Sequence, residues 1–130
     1  IYCIKSFMKK KIVFFSGGRS DFSLLKNTIL QFQKSKKFQT VVILGPGHFN
    51  KNIGNTFLEV SKSKIKNIVK IKTKKINTDN IGISKIISDI ILESSKIFKN
   101  KKFDLAFILG DRYEAIAFSL ICSLNKIPIA

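Results

Sequence analysis

Lys11-Ile12-Val13-Phe14-Phe15-Ser16-Gly17-Gly18-Arg19-Ser20-Asp21-Phe22 is the stretch that decides the fold. Ile12 to Phe15 is an unbroken apolar run, and Ser16-Gly17-Gly18 closes it. Unbroken runs of this length suit strands covered on both faces, as in parallel sheets. Phe22, Leu25, Ile29 and Phe32 then recur at helical spacing, which predicts a helix from about Asp21 to Lys34. The pattern repeats along the chain. Thr40 to Leu44 reads as a strand ended by Gly45-Pro46-Gly47, and residues 53–61 read as a short helix. Ile68, Val69 and Ile71 suggest a third strand in a lysine-rich segment. Ile83, Ile86, Ile87, Ile90, Ile91, Ile97 and Phe98 define the clearest amphipathic helix. Asp104 to Leu109 is a strand ended by Gly110, Ala115 to Leu124 a buried helix, and Ile127 to Ala130 the start of a final strand. Alternating strands and helices predict an α/β fold, a parallel sheet with flanking helices and right-handed crossovers.

A chain of 130 residues suits one domain with a real core. Of its 24 basic residues only Arg19 and Arg112 are arginine. The net charge of +16 invites a nucleic-acid reading. The lysines, however, are spread along the chain beside abundant Ile, Asn and Phe, with no Trp and two Pro. That mixture is the signature of an AT-rich coding sequence. A nucleic-acid groove more often mixes arginine and aromatics in one local patch. No nucleic-acid partner is expected. Cys3 and Cys122 lack any Cys-x-x-Cys or His-rich spacing, so neither a structural zinc site nor a disulfide framework is expected, and a cytoplasmic location is. The longest apolar stretch, Ala115 to Leu124, is about half of what a membrane-spanning helix needs, so no membrane partner is expected.

Met8, followed by Lys9-Lys10-Lys11, reads as the natural start, with residues 1–10 an extension outside the fold and residues 11–130 the domain. Lys5 interrupts any signal-peptide core. Asn125 to Ala130 reads as a turn entering a buried strand, in which the chain stops, so a fragment of a longer protein is expected.

Ligands of open parallel sheets bind outside the carboxyl ends of the strands. Gly17-Gly18-Arg19, Gly45-Pro46-Gly47-His48 and Gly110-Asp111-Arg112 all lie at such ends. Glycine lets backbone approach a ligand, and helix N-termini favour anions. Arginine presents a planar fork that can hold two phosphate oxygens at once. Arg19 and Arg112 could clamp a diphosphate, or each could simply pair with a nearby Asp; three such turns on one edge favour a site. No Gly-x-x-x-x-Gly-Lys-Ser/Thr is present, and Asn50 stands where a dinucleotide fingerprint needs its third glycine. His48 could be an acid, a base, a phosphate contact or a structural residue. Asp111 and Glu114 could cap a helix or supply acid and base groups around a sugar carbon. Asp21 reads as the cap of the first helix. Ser23 could donate to a phosphate oxygen or face solvent.

Taken in order, these motifs resemble the UDP-N-acetylglucosamine 2-epimerase family. Gly18-Arg19-Ser20-Asp21-Phe22 is similar to its Gly-Thr-Arg-Ala-Asp-Tyr segment, and Gly47-His48 with Gly54-Asn55-Thr56-Phe57 to its Gly-x-His loop and Gly-Asn-Thr-Tyr segment. Gly110-Asp111-Arg112-Tyr113-Glu114 is similar to its Gly-Asp-Arg-Phe-Glu signature, and Asn125 to Ala130 to the strand that leads into His-Ile-x-Gly-Gly-Glu. The hydrolysing branch fits better. Non-hydrolysing members typically carry Pro-Glu after the first Arg and Lys three residues beyond, where this chain has Ser20-Asp21 and Leu24, and they tend to lack the Arg seen here at Arg112.

The resemblance implies a glycosyltransferase-B-like fold of two Rossmann-like domains, of which this chain is the N-terminal one. It implies that Gly18, Arg19, Ser23 and Arg112 contact the UDP of a UDP-sugar substrate, and that Asp111 acts at the sugar with His48 and Glu114 nearby. The implied reaction eliminates UDP across C1–C2 and adds water, giving N-acetylmannosamine for sialic-acid-type sugars, without metal or cofactor. A diacetamido sugar is the alternative substrate. A non-hydrolysing epimerase, a glycosyltransferase of the same fold and a basic nucleic-acid-binding module are the alternative functions. The full-length protein is expected to be a homo-oligomer. These 130 residues alone, without the second domain, are expected to bind UDP weakly and to turn over nothing.

Overall fold

The computed structural model describes residues 8–51, 56–74 and 77–130. Strands β1 (Lys10–Ser16), β2 (Phe38–Leu44), β3 (Ile68–Lys70) and β4 (Leu105–Ile108) alternate with helices α1 (Arg19–Lys34), α2 (Thr56–Lys62), α3 (Asn80–Asn100) and α4 (Tyr113–Leu124). A short 3-10 turn, Pro46–Phe49, follows β2. The strands form one parallel sheet in the order β3-β2-β1-β4. Ile129 bridges Ala106 in parallel, and the amide of Ala130 donates to the Ala106 carbonyl (2.9 Å), so the chain's last residues lie along the outer edge of β4. This is the expected α/β fold.

The apolar run of β1 is unbroken because both faces are covered. Ile12 and Phe14 join Phe22, Leu25 and Ile29 of α1 and Val60 of α2 in one buried layer. Val13 and Phe15 join Ile90 and Phe98 of α3 and Phe118, Ile121 and Cys122 of α4 in the other. Ring contacts key each layer to the sheet: Phe32 of α1 meets Phe14 edge-on (5.6 Å between centroids), and Phe118 of α4 stacks on Phe15 (4.5 Å).

Several boundaries differ from the sequence expectations. Helix α1 begins at Arg19, and Gly18, not Asp21, occupies its N-cap position. Asp21 instead reaches back from inside the first turn to accept the Gly17 amide (3.1 Å), which satisfies a donor the helix leaves free. Asp104 precedes β4 and does not belong to it; its carboxylate accepts the Lys11 amide (2.7 Å) and so extends the edge of β1. Strand β3 closes at Lys70, although Ile71 still donates its amide to the Leu44 carbonyl (2.8 Å). The helix expected over 53–61 begins among the described residues at Thr56, its first residues lying outside them. Residues 1–7 also lie outside them, including Cys3. Among the described residues no helix is long and apolar enough to cross a membrane.

Candidate functional site

β1 and β4 are neighbours, yet the chain leaves β1 toward β2 and leaves β4 toward the opposite edge. Such a divergence opens a crevice at the carboxyl ends of the two strands. Two glycines make the close approach there possible. A Cβ on Gly17 would lie 3.2 Å from both Asp21 Oδ2 and Glu114 Cβ. Gly110 has φ +100°, in the left-handed region that glycine alone tolerates well. The Asp21 carboxylate is buried between these exits: Oδ2 on the Gly17 amide, Oδ1 facing Gly110 and accepting the Ser20 hydroxyl (3.2 Å).

Arg112 spans the crevice. Its Nη2 donates to Glu114 Oε1 (3.0 Å), while Nη1 lies 3.7 Å from where a Cβ on Gly18 would stand. Partial burial alone would depress the guanidinium pKa, but Glu114, then Tyr113 and Asp21, outweigh it and raise the value above its ordinary level. Glu114 is only 2% exposed, and among the described residues its Oε2 has no hydrogen-bond partner. Arg19 is exposed and donates from Nη2 to Glu59 Oε1 of α2 (3.3 Å). The simpler expectation, that each arginine pairs with a nearby Asp, is thus met in kind by Glu partners. Each guanidinium keeps further donors free of those pairs.

His48 is fully buried beneath the same edge. Its Nε2 stands 2.8 Å from Ser16 Oγ and its Nδ1 3.2 Å from Thr56 Oγ1. The hydroxyls can each turn elsewhere: Ser16 toward the Gly18 carbonyl (3.1 Å), Thr56 toward the His48 carbonyl (3.2 Å). Either ring tautomer is therefore fully satisfied, with the proton chain running one way or the other. Burial, outweighing Asp21, the Ser16 backbone and Glu59, lowers the ring pKa to about 4, so the imidazole is neutral near pH 7. The turn that carries it is held against β1. The Gly45 amide donates to the Ser16 carbonyl (2.8 Å), and a Cβ on Gly47 would collide with the Gly17 carbonyl.

The structure thus gathers Gly18, Arg112 and Glu114 in one cluster and seats His48 directly below the β1 exit. Of the three residues expected around the sugar, Asp111 is exposed, whereas His48 and Glu114 lie beneath the surface. Ser23 is exposed on α1, one turn from Arg19, and donates its hydroxyl to the Arg19 carbonyl (3.0 Å). Arg19 is tied to α2 and Arg112 to α4. Sequence reasoning missed Ser16, Thr56 and Glu59 as supporting groups and gave Asp21 only a capping role. The one signal available was that Thr56 and Glu59 fall three apart on α2, close to the Gly-His turn. Among the described residues no three His, Cys, Asp or Glu side chains could hold a metal ion together.

Residues 30–130 match the family model described as UDP-N-acetylglucosamine 2-epimerase. The chain belongs to the UDP-N-acetylglucosamine 2-epimerase family. It is 32% identical over 121 residues to the hydrolysing GDP/UDP-N,N'-diacetylbacillosamine 2-epimerase of Campylobacter jejuni, covering 93% of this chain and 31% of that protein. It is 25% identical to polysialic acid biosynthesis protein P7 of Escherichia coli, covering 92% of this chain and 31% of that protein. It is 23% identical to the hydrolysing UDP-N,N'-diacetylbacillosamine 2-epimerase of Legionella pneumophila, covering 94% and 32%. The chain thus spans about a third of the length of these epimerase relatives. The epimerase fold is shared with the Neisseria meningitidis UDP-GlcNAc 2-epimerase bound to UDP-GlcNAc, at TM-score 0.75 and 22% identity, over 92% of this chain and 31% of that one. It is shared also with the Methanocaldococcus jannaschii UDP-GlcNAc 2-epimerase in complex with UDP-GlcNAc and UDP, at TM-score 0.67 and 21% identity, over 95% and 32%.

Proposed function

We propose that this chain supplies the nucleotide-holding half of a hydrolysing UDP-sugar 2-epimerase. The substrate is UDP-N-acetylglucosamine or a diacetamido relative, the latter favoured by the names of the Campylobacter and Legionella proteins. Backbone at Gly18, the forks of Arg19 and Arg112 and the hydroxyl of Ser23 hold the UDP. Asp111, exposed beside Arg112, acts at the sugar. A base takes the C2 proton as the C1–O bond to UDP breaks, and water then adds across the resulting C1–C2 double bond. The hydroxyl goes to C1 and a proton to C2 on the opposite face, which leaves the free manno-configured sugar. Such chemistry needs a carboxylate for a weakly acidic proton and cations for the departing diphosphate. His48 and Glu114 support this arrangement from below.

The observation that carries the proposal is the approach of Arg112 to Gly18, which joins two motifs far apart in sequence across the β1–β4 crevice. Residues 11–130, with Lys10 already paired as the first residue of β1, form the domain, the complete enzyme is a cytoplasmic homo-oligomer, and catalysis requires a second domain to close the crevice against water. Titrating UDP into the chain, followed by amide chemical shifts, tests this. Weak saturable shifts at Gly17, Gly18, Arg19 and Arg112 are expected, with no release of UDP from UDP-N-acetylglucosamine. Absence of shifts on that edge overturns the nucleotide role, and turnover by the chain alone overturns the need for a second domain.

A further inference from the structure

We infer that Glu114 is a positioning residue that locks Arg112 over Gly18, and that it does not exchange protons with the sugar. This deepens the nucleotide-holding role proposed above and rests on it for its functional meaning. The Glu114 side chain is 3% exposed and the Arg112 side chain 50%. A carboxylate so enclosed does not face the open side of the crevice where a sugar would lie, whereas the guanidinium it holds does. Glu114 Oε1 accepts from Arg112 Nη2 at 3.0 Å, and Oε2 has no partner among the described residues. Arg112 is thus the one ion-pair partner found for this buried charge among the described residues, so releasing it would leave the carboxylate uncompensated.

The constraint runs both ways. Arg112 occupies the N-cap position of α4 and Glu114 stands in its first turn, so the helix backbone fixes their spacing. With Nη2 committed inward, Nη1 is left near Gly18, where the α1 amides begin. A guanidinium can serve both partners because its donors form a rigid fork. Its direction is set before any ligand arrives, which spares the ordering cost on binding.

Variants of the 130-residue chain test this, with UDP as probe. Binding UDP involves no proton transfer, so a loss of affinity cannot come from a lost acid or base. Glu114→Ala should weaken UDP binding about tenfold, and Glu114→Gln, which keeps an acceptor for Nη2, only about two- to threefold. In an Arg112→Ala background, Glu114→Ala should cause no further loss. Equal losses in both backgrounds, or a Gln variant as weak as Ala, would overturn the inference. A second readout needs no UDP. The side-chain Nη resonances of Arg112 should show hindered rotation in the parent and free rotation in Glu114→Ala. Identical Arg112 resonances in the two proteins would overturn the positioning role even if the chain bound no UDP, an outcome that separately defeats the nucleotide proposal. If Glu114→Ala does not fold, Glu114→Met, which removes the acceptor but keeps the side-chain bulk, decides by the same comparison: a change in Nη rotation supports the lock, and none refutes it.

Discussion

His48 Nε2 and Ser16 Oγ lie 2.8 Å apart, and through them the turn after β2 is bolted to the exit of β1. Burial disfavours the charged ring, whose pKa is lowered to about 4 against an ordinary 6.5. Between those values the unfolded chain binds the proton and the native chain does not. Stability contributed by His48 is therefore complete above about pH 6.5 and is lost as pH falls toward 4, by roughly 2–3 kcal/mol. Urea midpoints measured at pH 7 and pH 4.5 check this against His48→Gln, which should lose part of the pH dependence. Equal slopes in the two proteins would show that His48 does not titrate this way.

Gly47 and Gly18 should respond oppositely to alanine. A methyl at 47 meets the Gly17 carbonyl, a backbone atom that cannot move aside, whereas one at 18 has as its nearest neighbour Arg112 Nη1, 3.7 Å away. Gly47→Ala is expected to cost about 2 kcal/mol or more of stability. Gly18→Ala should melt within a few degrees of the parent yet bind UDP several-fold more weakly, because the methyl fills the space below the guanidinium. Thermal melts and UDP titrations of the two variants make the comparison.

Arg19→Lys and Arg112→Lys keep the net charge but lose the planar fork. Each should weaken UDP binding to the chain about tenfold while leaving its fold intact. Retention of affinity in both would mean that general positive charge, not fork geometry, holds the nucleotide. Salt titration of the parent gives the complementary measure, since charge alone predicts a steep fall with ionic strength.

Cys122 is buried in the layer beneath α3 and α4, and burial pushes its thiol up to about 12. It should therefore resist alkylation at pH 8 in the native protein and react fully once denatured. Mass mapping of the peptide containing Cys122 before and after denaturant reads this directly. Rapid native labelling would mean that the layer opens.

Much of the fold is written in local patterns. The β1 run and the Ile-rich face of α3 are legible because each buries a face that its own period reveals. The chain order of elements then fixes a parallel sheet through the crossover rules. The site is less legible because its decisive contacts are long in sequence. Glu59 reaches Arg19 from 40 residues away, and its spacing from Thr56 does not say which arginine it meets. His48 looks exposed in a Gly-Pro-Gly turn. Its burial follows from the fit of Gly47 against Gly17, which only the folded sheet creates. Asp21 reads as a cap in sequence because an acidic residue can accept a free amide either from the N-cap or, as here, by reaching back from the first turn. Arg112, by contrast, is legible from its glycine turn, although the pattern leaves open whether Glu114, two residues on, caps the helix, reacts or pairs with it.

β1 lies between β2 and β4, and this has a consequence for how the molecule is made. The first neighbour of β1 follows within one helix, but the second arrives late: Asp104, which clasps Lys11, is 93 residues downstream. β1, β2 and β3 leave the ribosome before α3 and β4, so one flank of the central strand stays unpaired until β4 follows. Joining that flank is a slow, non-local step. Arg112 follows β4, so its guanidinium meets Gly18 only after that last strand docks. By the nucleotide role proposed above, the UDP site of this chain forms only once β4 has paired with β1, and a fluorescent UDP analogue would distinguish chains in which it has from those in which it has not.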